Sequence, residues 1–450
     1  MVDPSVFKAY DIRGIYPDQI DEDLVYKIGQ AYVKFLQPNT VAVGHDIRLC
    51  EESFKDVLLE SLSDAGVNVV DLGLISTDQM YFAVADLGLD GGIMATASHN
   101  PKEYGGLKLV RKKAAPISGD SGIYEIRDLV ASDNYKVSSQ NKGKIEKKNI
   151  ADAYFSHVLK TFDIAKLKPL KIVANANFGM ANVAIERLKT ILPIKFIKVV
   201  DGHLDGNFPK GATDPLLPSN RPEVIAAIKE LKPDLGVAWD GDADRCFFFD
   251  EKGEFVTPAY INALLSEYYL KRYPGGKIIH DPRVVRVIDD YIKNNGGISI
   301  INKVGHSFIK ERMIKEDAVF GSETSGHYYF KDNFYLDNGL LPFLAILEII
   351  SVSGLKFSEI LKPLREKFYI SEEINFKYKN ENILEQIKEQ YKDAQIDHID
   401  GYDFNYPDWR FNLRTSNTQN LLRLNMEANS NELLENKLVE VTDFIKSNCQ

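Results

Sequence analysis

Cysteine is scarce in this sequence: Cys50, Cys246 and Cys449 are the only three in 450 residues. An odd number, widely spaced and without a Cys-x-x-Cys pair, points to neither a disulfide framework nor a cysteine zinc site. Positive charge is also short. The 55 Lys and Arg against 65 Asp and Glu leave a net charge of −10, so the diffuse basic surface that nucleic acid demands is missing. An anionic ligand would need concentrated local positive charge against that background. Long apolar runs are absent too. The most apolar stretch, LLPFLAILEII from Leu340 to Ile350, is interrupted by Pro342 and Glu348 and is far below the ~20 residues that span a bilayer. The opening segment MVDPSVFKAYDIRG lacks the basic stretch leading into an apolar run that marks a secretory signal. These absences lead us to expect a soluble protein of a reducing compartment, the cytoplasm, with no nucleic-acid or membrane partner.

What is present is ordinary globular material, 44% hydrophobic and 27% charged with 30 Gly and 18 Pro. At roughly 150 residues per domain the length suggests about three domains. Short β-branched runs alternate with amphipathic stretches. Val41–Val43 and Val67–Gly73 read as strands, Glu51–Ala65 and Thr77–Leu87 as helices, and GGIMA as a strand entering a polar loop. This is βαβ grammar and predicts mainly parallel sheets flanked by helices. It recurs at Lys171–Gly179 and Lys277–Arg283, each a buried strand opening into a loop. Three related α/β units are expected, with functional loops at strand ends, where sites of open α/β sheets lie. The polar, Lys-rich Ser132–Lys148 reads as a linker or edge excursion. After about Lys367 the pattern changes to two strands bracketing a polar loop with helices around them, which predicts a smaller α+β domain.

Four loops carry candidate chemistry. Asp240, Asp242 and Asp244 alternate in a Gly-containing turn after the apolar strand LGVAW, and such carboxylates can converge on one hard cation such as Mg²⁺. Glu251 falls at the twelfth position of an EF-hand count, but Arg245 stands where that loop needs Gly, so that reading fails; a solvated acidic turn is the bland alternative. In Thr96–Pro101, Ser98 is a candidate nucleophile or phosphate carrier with Lys108 as a cation or proton-transfer group, although SHNP is also good turn chemistry. The Gly-x-Ser-x-Gly elbow of a hydrolase is absent there. Glu323, Ser325 and His327 would share one face if their segment is extended, and their groups suit sugar hydroxyls. Arg414, Ser416, Asn417 and Thr418, with Arg423 beyond, offer guanidinium, hydroxyls and main-chain N–H groups to a phosphate dianion, but not as a Walker motif. Tyr10 and Arg13 in FKAYDIRG add a candidate cleft-lining cation.

FKAYDIRG, TASHNP, DGDADR, VGHSFIKERM, GSETSGH and RTSNT occur in this order along the chain. With these motifs the sequence resembles the α-D-phosphohexomutases over essentially its whole length, and is most similar to the bacterial phosphomannomutase/phosphoglucomutase branch. The resemblance implies an α/β fold of four domains around a central cleft: three related α/β domains with mixed, mainly parallel sheets, and a smaller C-terminal α+β domain. The expected boundaries are 1–150 with the phosphoserine loop, 151–250 with the metal loop, 251–367 with the sugar loop and 368–450 with the phosphate loop. It also implies that Ser98 is the phosphoserine and a metal ligand beside Asp240, Asp242 and Asp244, with one Mg²⁺ per site. Arg245 would hold the transferring group, Lys108 and His306 would serve proton transfer or substrate contact, and Arg13 and His99 would support the phosphoserine. Tyr10, Arg283, Glu323, Ser325, His327, Arg414, Ser416, Asn417 and Thr418 would bind substrate.

The activity implied is that of an isomerase, a mutase interconverting mannose 6-phosphate and mannose 1-phosphate. It would act through a 1,6-bisphosphate, which also serves as activator, and would feed GDP-mannose and surface polysaccharide. The partner is then a small hexose phosphate and the protein a monomer or weak dimer. Thr324 stands where dual mannose/glucose enzymes typically carry Met, and Gln419-Asn420 where many relatives have Glu-Pro. A phosphoglucomutase or dual-specificity enzyme is the alternative, and a catalytically silent sugar-phosphate binder a further one.

Overall fold

Val41, Ala42 and Val43 are fully buried at the centre of a strand, as β-branched residues fit a pleated surface covered on both faces. The computed structural model describes residues 3–380, 382–415 and 421–448. The chain forms two compact units, Met1–Phe255 with His327–Gly354, and Val256–Gly326 with Leu355–Gln450.

In the first unit, strands β1 (Ile12–Ile15), β2 (Thr40–His45), β3 (Asn68–Leu74), β4 (Gly91–Ala95), β5 (Tyr104–Arg111), β6 (Ala115–Pro116) and β7 (Ile145–Lys147) form one sheet. The order is β1-β5-β4-β2-β3-β7, with β6 on β5. The β4, β2, β3 and β7 strands are parallel, while β5 runs antiparallel to β4 and β1. The Lys-rich segment expected as a linker or edge excursion thus contributes the edge strand β7. Helices α1 (Glu22–Leu36), α2 (Glu51–Asp64) and α3 (Thr77–Asp86) make the crossovers. Asp21 caps α1, its carboxylate accepting from Leu24 N–H at 2.9 Å, and Glu22 and Asp23 favour the same positive helix end.

A second sheet in this unit places Lys171–Asn175 between Lys195–Val200 and Leu235–Trp239, all parallel, with Cys246–Phe249 antiparallel to the last. The apolar run Leu340–Ile350 lies in the helix Leu340–Ser353, which belongs to the same unit. The helix is mostly buried, and the Trp239 indole N–H donates to the Gly339 carbonyl at 2.8 Å just before it. Its apolar residues therefore serve a protein core. Among the described residues no single helix is long and apolar enough to cross a membrane. Cys50 and Cys246 are buried free thiols; Cys449 lies outside the described residues.

In the second unit, Lys277–His280 pairs in parallel with Ile298–Ile301 and Phe320–Ser322. A separate antiparallel sheet is built on Leu421–Ala428 and Trp409–Thr415, with Phe376, Phe404, Phe411 and Leu424 in its core. Glu427 ties it to the 281–286 turn by accepting the N–H groups of Val285 and Arg286, both at 2.9 Å. Arg410 completes the joint, bonding Glu427 at 2.6 Å and the Pro282 carbonyl at 2.8 Å.

Candidate active site

Ser98 follows β4 and adopts φ = 53°, the left-handed region that non-glycine residues rarely occupy. Its own main chain is held on both sides. Its N–H donates to Thr96 Oγ1 at 2.9 Å, and the Thr96 hydroxyl donates to Asp46 at 2.6 Å. Its carbonyl accepts from Arg48 Nη2 at 2.6 Å. The same guanidinium reaches the carbonyls of Asn100 at 2.6 Å and Pro101 at 2.9 Å. One side chain thereby satisfies several loop carbonyls and holds the hydroxyl of Ser98 in place. That hydroxyl lies 3.3 Å from His99 Nδ1 and 3.5 Å from an Asp240 oxygen.

The aspartate loop comes to Ser98 through a backbone contact that only glycine permits. A Cβ on Gly241 would stand 2.8 Å from the Ser98 carbonyl oxygen and 2.7 Å from Thr213 Oγ1. Asp240, Asp242 and Asp244 are buried and offer oxygens that all lie within 4.8 Å of one another. Thr77 Oγ1 donates to Asp242 at 2.6 Å, while the other Asp242 oxygen has no hydrogen-bond partner. Three converging carboxylates with an unmatched buried oxygen fit a hard divalent cation. The electrostatics agree. Burial and the charges of Asp244 and Asp242 push the Asp240 carboxyl well above its usual range, a repulsion that a cation would relieve.

Lys108 on β5 donates to Asp242 at 2.7 Å and Asp244 at 2.5 Å. Burial opposes its charge, but these two carboxylates outweigh burial and hold the ammonium well above its ordinary range. As held here Lys108 is an ammonium and has no free electron pair with which to accept a proton. For Asp244, burial is likewise outweighed, by Lys108 and then His327, and its carboxyl is held well below the usual range. The His327 Nε2 atom lies 3.5 Å from Asp244. Arg245 lies 3.2 Å from Asp240 and donates to the ring of His99. Burial, then Arg245 and Arg13, depress the His99 imidazole well below its usual range, so the ring is neutral. Arg13, paired with Asp11 at 2.5 Å, donates to Asn100 at 2.6 Å, which brings it to the serine loop. Tyr10 precedes β1 and is partly buried.

The second unit holds a separate set. Arg283 pairs with Asp281 at 2.7 Å and lies 3.7 Å from Glu323, which accepts the Gly305 N–H at 2.9 Å. His306 opens the following helix. Asp281 also accepts the Thr324 N–H at 2.7 Å. The expectation that Glu323, Ser325 and His327 share a face by strand alternation is not met. The strand ends at Ser322, and Gly326, at φ = 86°, closes a turn by donating to the Glu323 carbonyl at 3.1 Å. Arg414 is buried 3.5 Å from Glu373, and Arg423 lies 3.0 Å from the same carboxylate. Ser416, Asn417 and Thr418 lie outside the described residues.

Sequence reasoning missed Asp46, Arg48, Thr77 and Asp281. A signal for three of them was available, because His45-Asp46-Ile47-Arg48 and His280-Asp281-Pro282-Arg283 repeat one pattern at two strand ends. The geometry repeats as well. Asp46 accepts the Arg48 N–H at 2.9 Å and Asp281 the Arg283 N–H at 2.9 Å. Arg48→Met is expected to destabilise the first unit by about 3–5 kcal/mol, since Asp46 is left buried without its cation. Denaturant unfolding would check this, and an unchanged midpoint would remove the guanidinium as the support of the serine loop.

Comparison with known proteins agrees with these motifs. Phosphoglucomutase/phosphomannomutase family models match along the chain: alpha/beta/alpha domain I at residues 4–137, domain II at 152–253, domain III at 257–368 and the C-terminal domain at 373–443. The chain is 44% identical to a phosphomannomutase of Vibrio cholerae, covering 99% of both sequences. It is 42% identical to a protein of Xanthomonas campestris named for phosphohexose mutases, covering 98% of this chain and 99% of that one. A crystal structure of a phosphoglucomutase/phosphomannomutase family protein from Burkholderia thailandensis superposes with a TM-score of 0.89 at 30% identity, covering 100% of this chain and 98% of that one. The chain belongs to the phosphoglucomutase/phosphomannomutase family and is a phosphohexomutase, an enzyme of the isomerase class.

Proposed function

We propose that this protein is a phosphomannomutase interconverting mannose 6-phosphate and mannose 1-phosphate, with Ser98 as the phosphoryl carrier. The observation that carries the reading is the Ser98 hydroxyl, held in a left-handed backbone 3.5 Å from the carboxylate cluster. The names of relatives at 42–44% identity support mannose as the sugar. The proposed division of labour runs through four domains with boundaries 1–150, 151–250, 251–367 and 368–450.

Phosphorylated Ser98 transfers its group to a free hydroxyl of the hexose monophosphate. The serine Oγ–P bond breaks, a bond from phosphorus to the sugar oxygen forms, the hydroxyl proton passes to a general base, for which His306 is the candidate, and the leaving serine oxygen takes a proton from Lys108. The resulting 1,6-bisphosphate, also the activator, turns over and returns its other phosphate to Ser98. Asp240, Asp242 and Asp244, with an oxygen of phosphorylated Ser98, would hold one Mg²⁺, which supplies charge neutralisation at the transferring phosphoryl group. Arg245 stabilises charge on that group through a guanidinium already ordered by Asp240. Lys108, an ammonium, is the acid at the serine oxygen, and His306 is a second proton-transfer or substrate-contact group. Arg13 and the neutral His99 support the serine loop.

Tyr10, Arg283, Glu323, Ser325 and His327 would read the sugar. Arg414, Ser416, Asn417 and Thr418 would clamp the phosphate that is not transferred. The product would feed GDP-mannose and surface polysaccharide in the cytoplasm, from a monomer or weak dimer.

A coupled assay with Mg²⁺ and a trace of hexose 1,6-bisphosphate, comparing mannose 1-phosphate with glucose 1-phosphate by kcat/KM, tests the reading. We expect mannose to be preferred by at least about tenfold, the scale that a few contacts worth ~1–3 kcal/mol supply. Equal rates would replace it with a dual-specificity enzyme, and turnover of glucose alone with a phosphoglucomutase.

A further inference from the structure

Thr77 opens α3 and is fully buried, and the reaction set out above gives it no part. Its helix does not need its hydroxyl, because Ser76 and Gln79 already close a capping box there. The hydroxyl leaves the helix instead. Thr77 Oγ1 donates to Asp242 Oδ2 at 2.6 Å, and the Thr77 N–H donates to the Asp242 carbonyl at 3.4 Å. Both donors of one buried residue thus go to one aspartate of the proposed cation site.

The start of α3 is fixed independently of the aspartate loop. Asp78, next in the chain and buried, accepts from the hydroxyl of Ser76 and from Tyr154 Oη at 2.5 Å. Tyr154 Oη in turn accepts from the Asn338 amide at 3.0 Å, and Asn338 Oδ1 accepts the N–H groups of Leu340 and Leu341, both at 2.8 Å. The first turn of α3 is therefore locked to two further helices, Ala151–Lys160 and Leu340–Ser353. A hydroxyl on so rigid an element imposes a position on Asp242 rather than following it.

That position divides the two carboxylate oxygens. Asp242 Oδ2 takes donors from both Thr77 and Lys108, the second at 2.7 Å, while Oδ1 is buried without a hydrogen-bond partner. Asp244 follows the same plan, with Oδ2 on Lys108 at 2.5 Å and Oδ1 unmatched. Carboxylates held in this way offer one oxygen each. Mg²⁺ demands a small, near-octahedral shell, which single oxygens fit, whereas Ca²⁺ takes about six to eight oxygens and accepts both from one carboxylate. We propose that Thr77 is a positioning residue of the cation site: it occupies Asp242 Oδ2, limits Asp242 to a single metal-binding oxygen and so favours Mg²⁺ over Ca²⁺. The proposal rests on the reading of the aspartate loop as the cation site.

The test measures cation affinity without turnover, from displacement of bound Mn²⁺ by Mg²⁺ and by Ca²⁺ in the full-length protein, followed by electron paramagnetic resonance. In Thr77→Val the freed oxygen can turn to the cation. Mg²⁺ is expected to bind about tenfold more weakly, the scale of losing an outer partner of a metal ligand, and Ca²⁺ to lose less, so that the preference for Mg²⁺ narrows at least threefold. Thr77→Ser, which keeps the hydroxyl, should restore both affinities to within about twofold, a rescue that a packing role of the methyl group would not give. Unchanged Mg²⁺ affinity in a folded Thr77→Val, equal weakening of both cations, or no rescue by serine would each overturn the proposal. Thr77→Ala is read in its place if Thr77→Val does not fold, and unfolding of both beside a folded Thr77→Ser would make the hydroxyl a structural group and overturn it too. Asp242→Asn, titrated in parallel, separates the two readings: if it keeps wild-type Mg²⁺ affinity the cation site itself is wrong, and if only Thr77→Val does, the role of Thr77 alone falls.

Discussion

Ser98→Ala is expected to lower mutase turnover by about 10⁴-fold or more, the scale of losing a covalent carrier, while folding and hexose-phosphate binding stay near wild type. The separation of the two effects follows from how the loop is held. Thr96 and Arg48 bond the main-chain N–H and carbonyl of Ser98, and both atoms survive in alanine. The hydroxyl itself makes only the long contacts to His99 at 3.3 Å and Asp240 at 3.5 Å, so its removal costs little stability. The coupled assay gives turnover, calorimetry gives hexose-phosphate affinity, and thermal melting reports the fold. Turnover within tenfold of wild type would remove Ser98 from the chemistry. Loss of binding together with activity would make it a structural residue.

Asp242→Asn should damage activity less than loss of the serine, yet heavily, and be harmless to the fold. Asparagine keeps the shape and one acceptor oxygen, so the 2.6 Å bond from Thr77 can persist, and Lys108 retains Asp244 as its ionic partner. What is lost is one of three negative charges on the proposed cation. We expect kcat/KM to fall by roughly 10²–10³-fold, as when one fixed electrostatic contact to a transition state is removed, with half-saturation by Mg²⁺ moved to higher concentration. Removing one of three mutually repelling carboxylates should leave the melting temperature unchanged or higher. A Mg²⁺ titration of activity checks this. Unchanged half-saturation would mean that the aspartate cluster does not bind the metal, whereas a collapsed melting temperature would show that its carboxylates serve the fold.

Much of this was legible before any tertiary structure. The βαβ alternation, the three strand-end loops and the change of pattern near Lys367 are local properties of side-chain period and turn composition. Helix and strand ends differ from expectation by a few residues at most: the helix at Glu51 stops at Asp64, and the strand at Lys171 ends at Asn175. The shared face of Glu323, Ser325 and His327 required an extended segment, and that condition fails because the strand ends at Ser322 and Gly326 in the left-handed region turns the chain. Composition alone does not say on which side of a glycine a strand stops.

Local composition was enough to mark the candidate groups, because a serine in TASHNP, three alternating aspartates and an arginine after them are local chemistry written in order. It also determined the parallel α/β architecture, through β-branched runs separated by helical stretches. Only the tertiary structure decided which distant residues serve those groups. The parallel pairing of β2 with β4 brings Asp46 and Arg48 under a loop 50 residues further on. The closeness of two loop backbones at Gly241 brings the aspartates to Ser98. Protonation was decided there as well: Asp242 and Asp244 hold Lys108 as an ammonium against its burial, whereas burial with Arg245 and Arg13 keeps His99 a neutral ring. Burial and neighbouring charge are set by the register of strands and the contact of loops, and a reading of local composition contains neither.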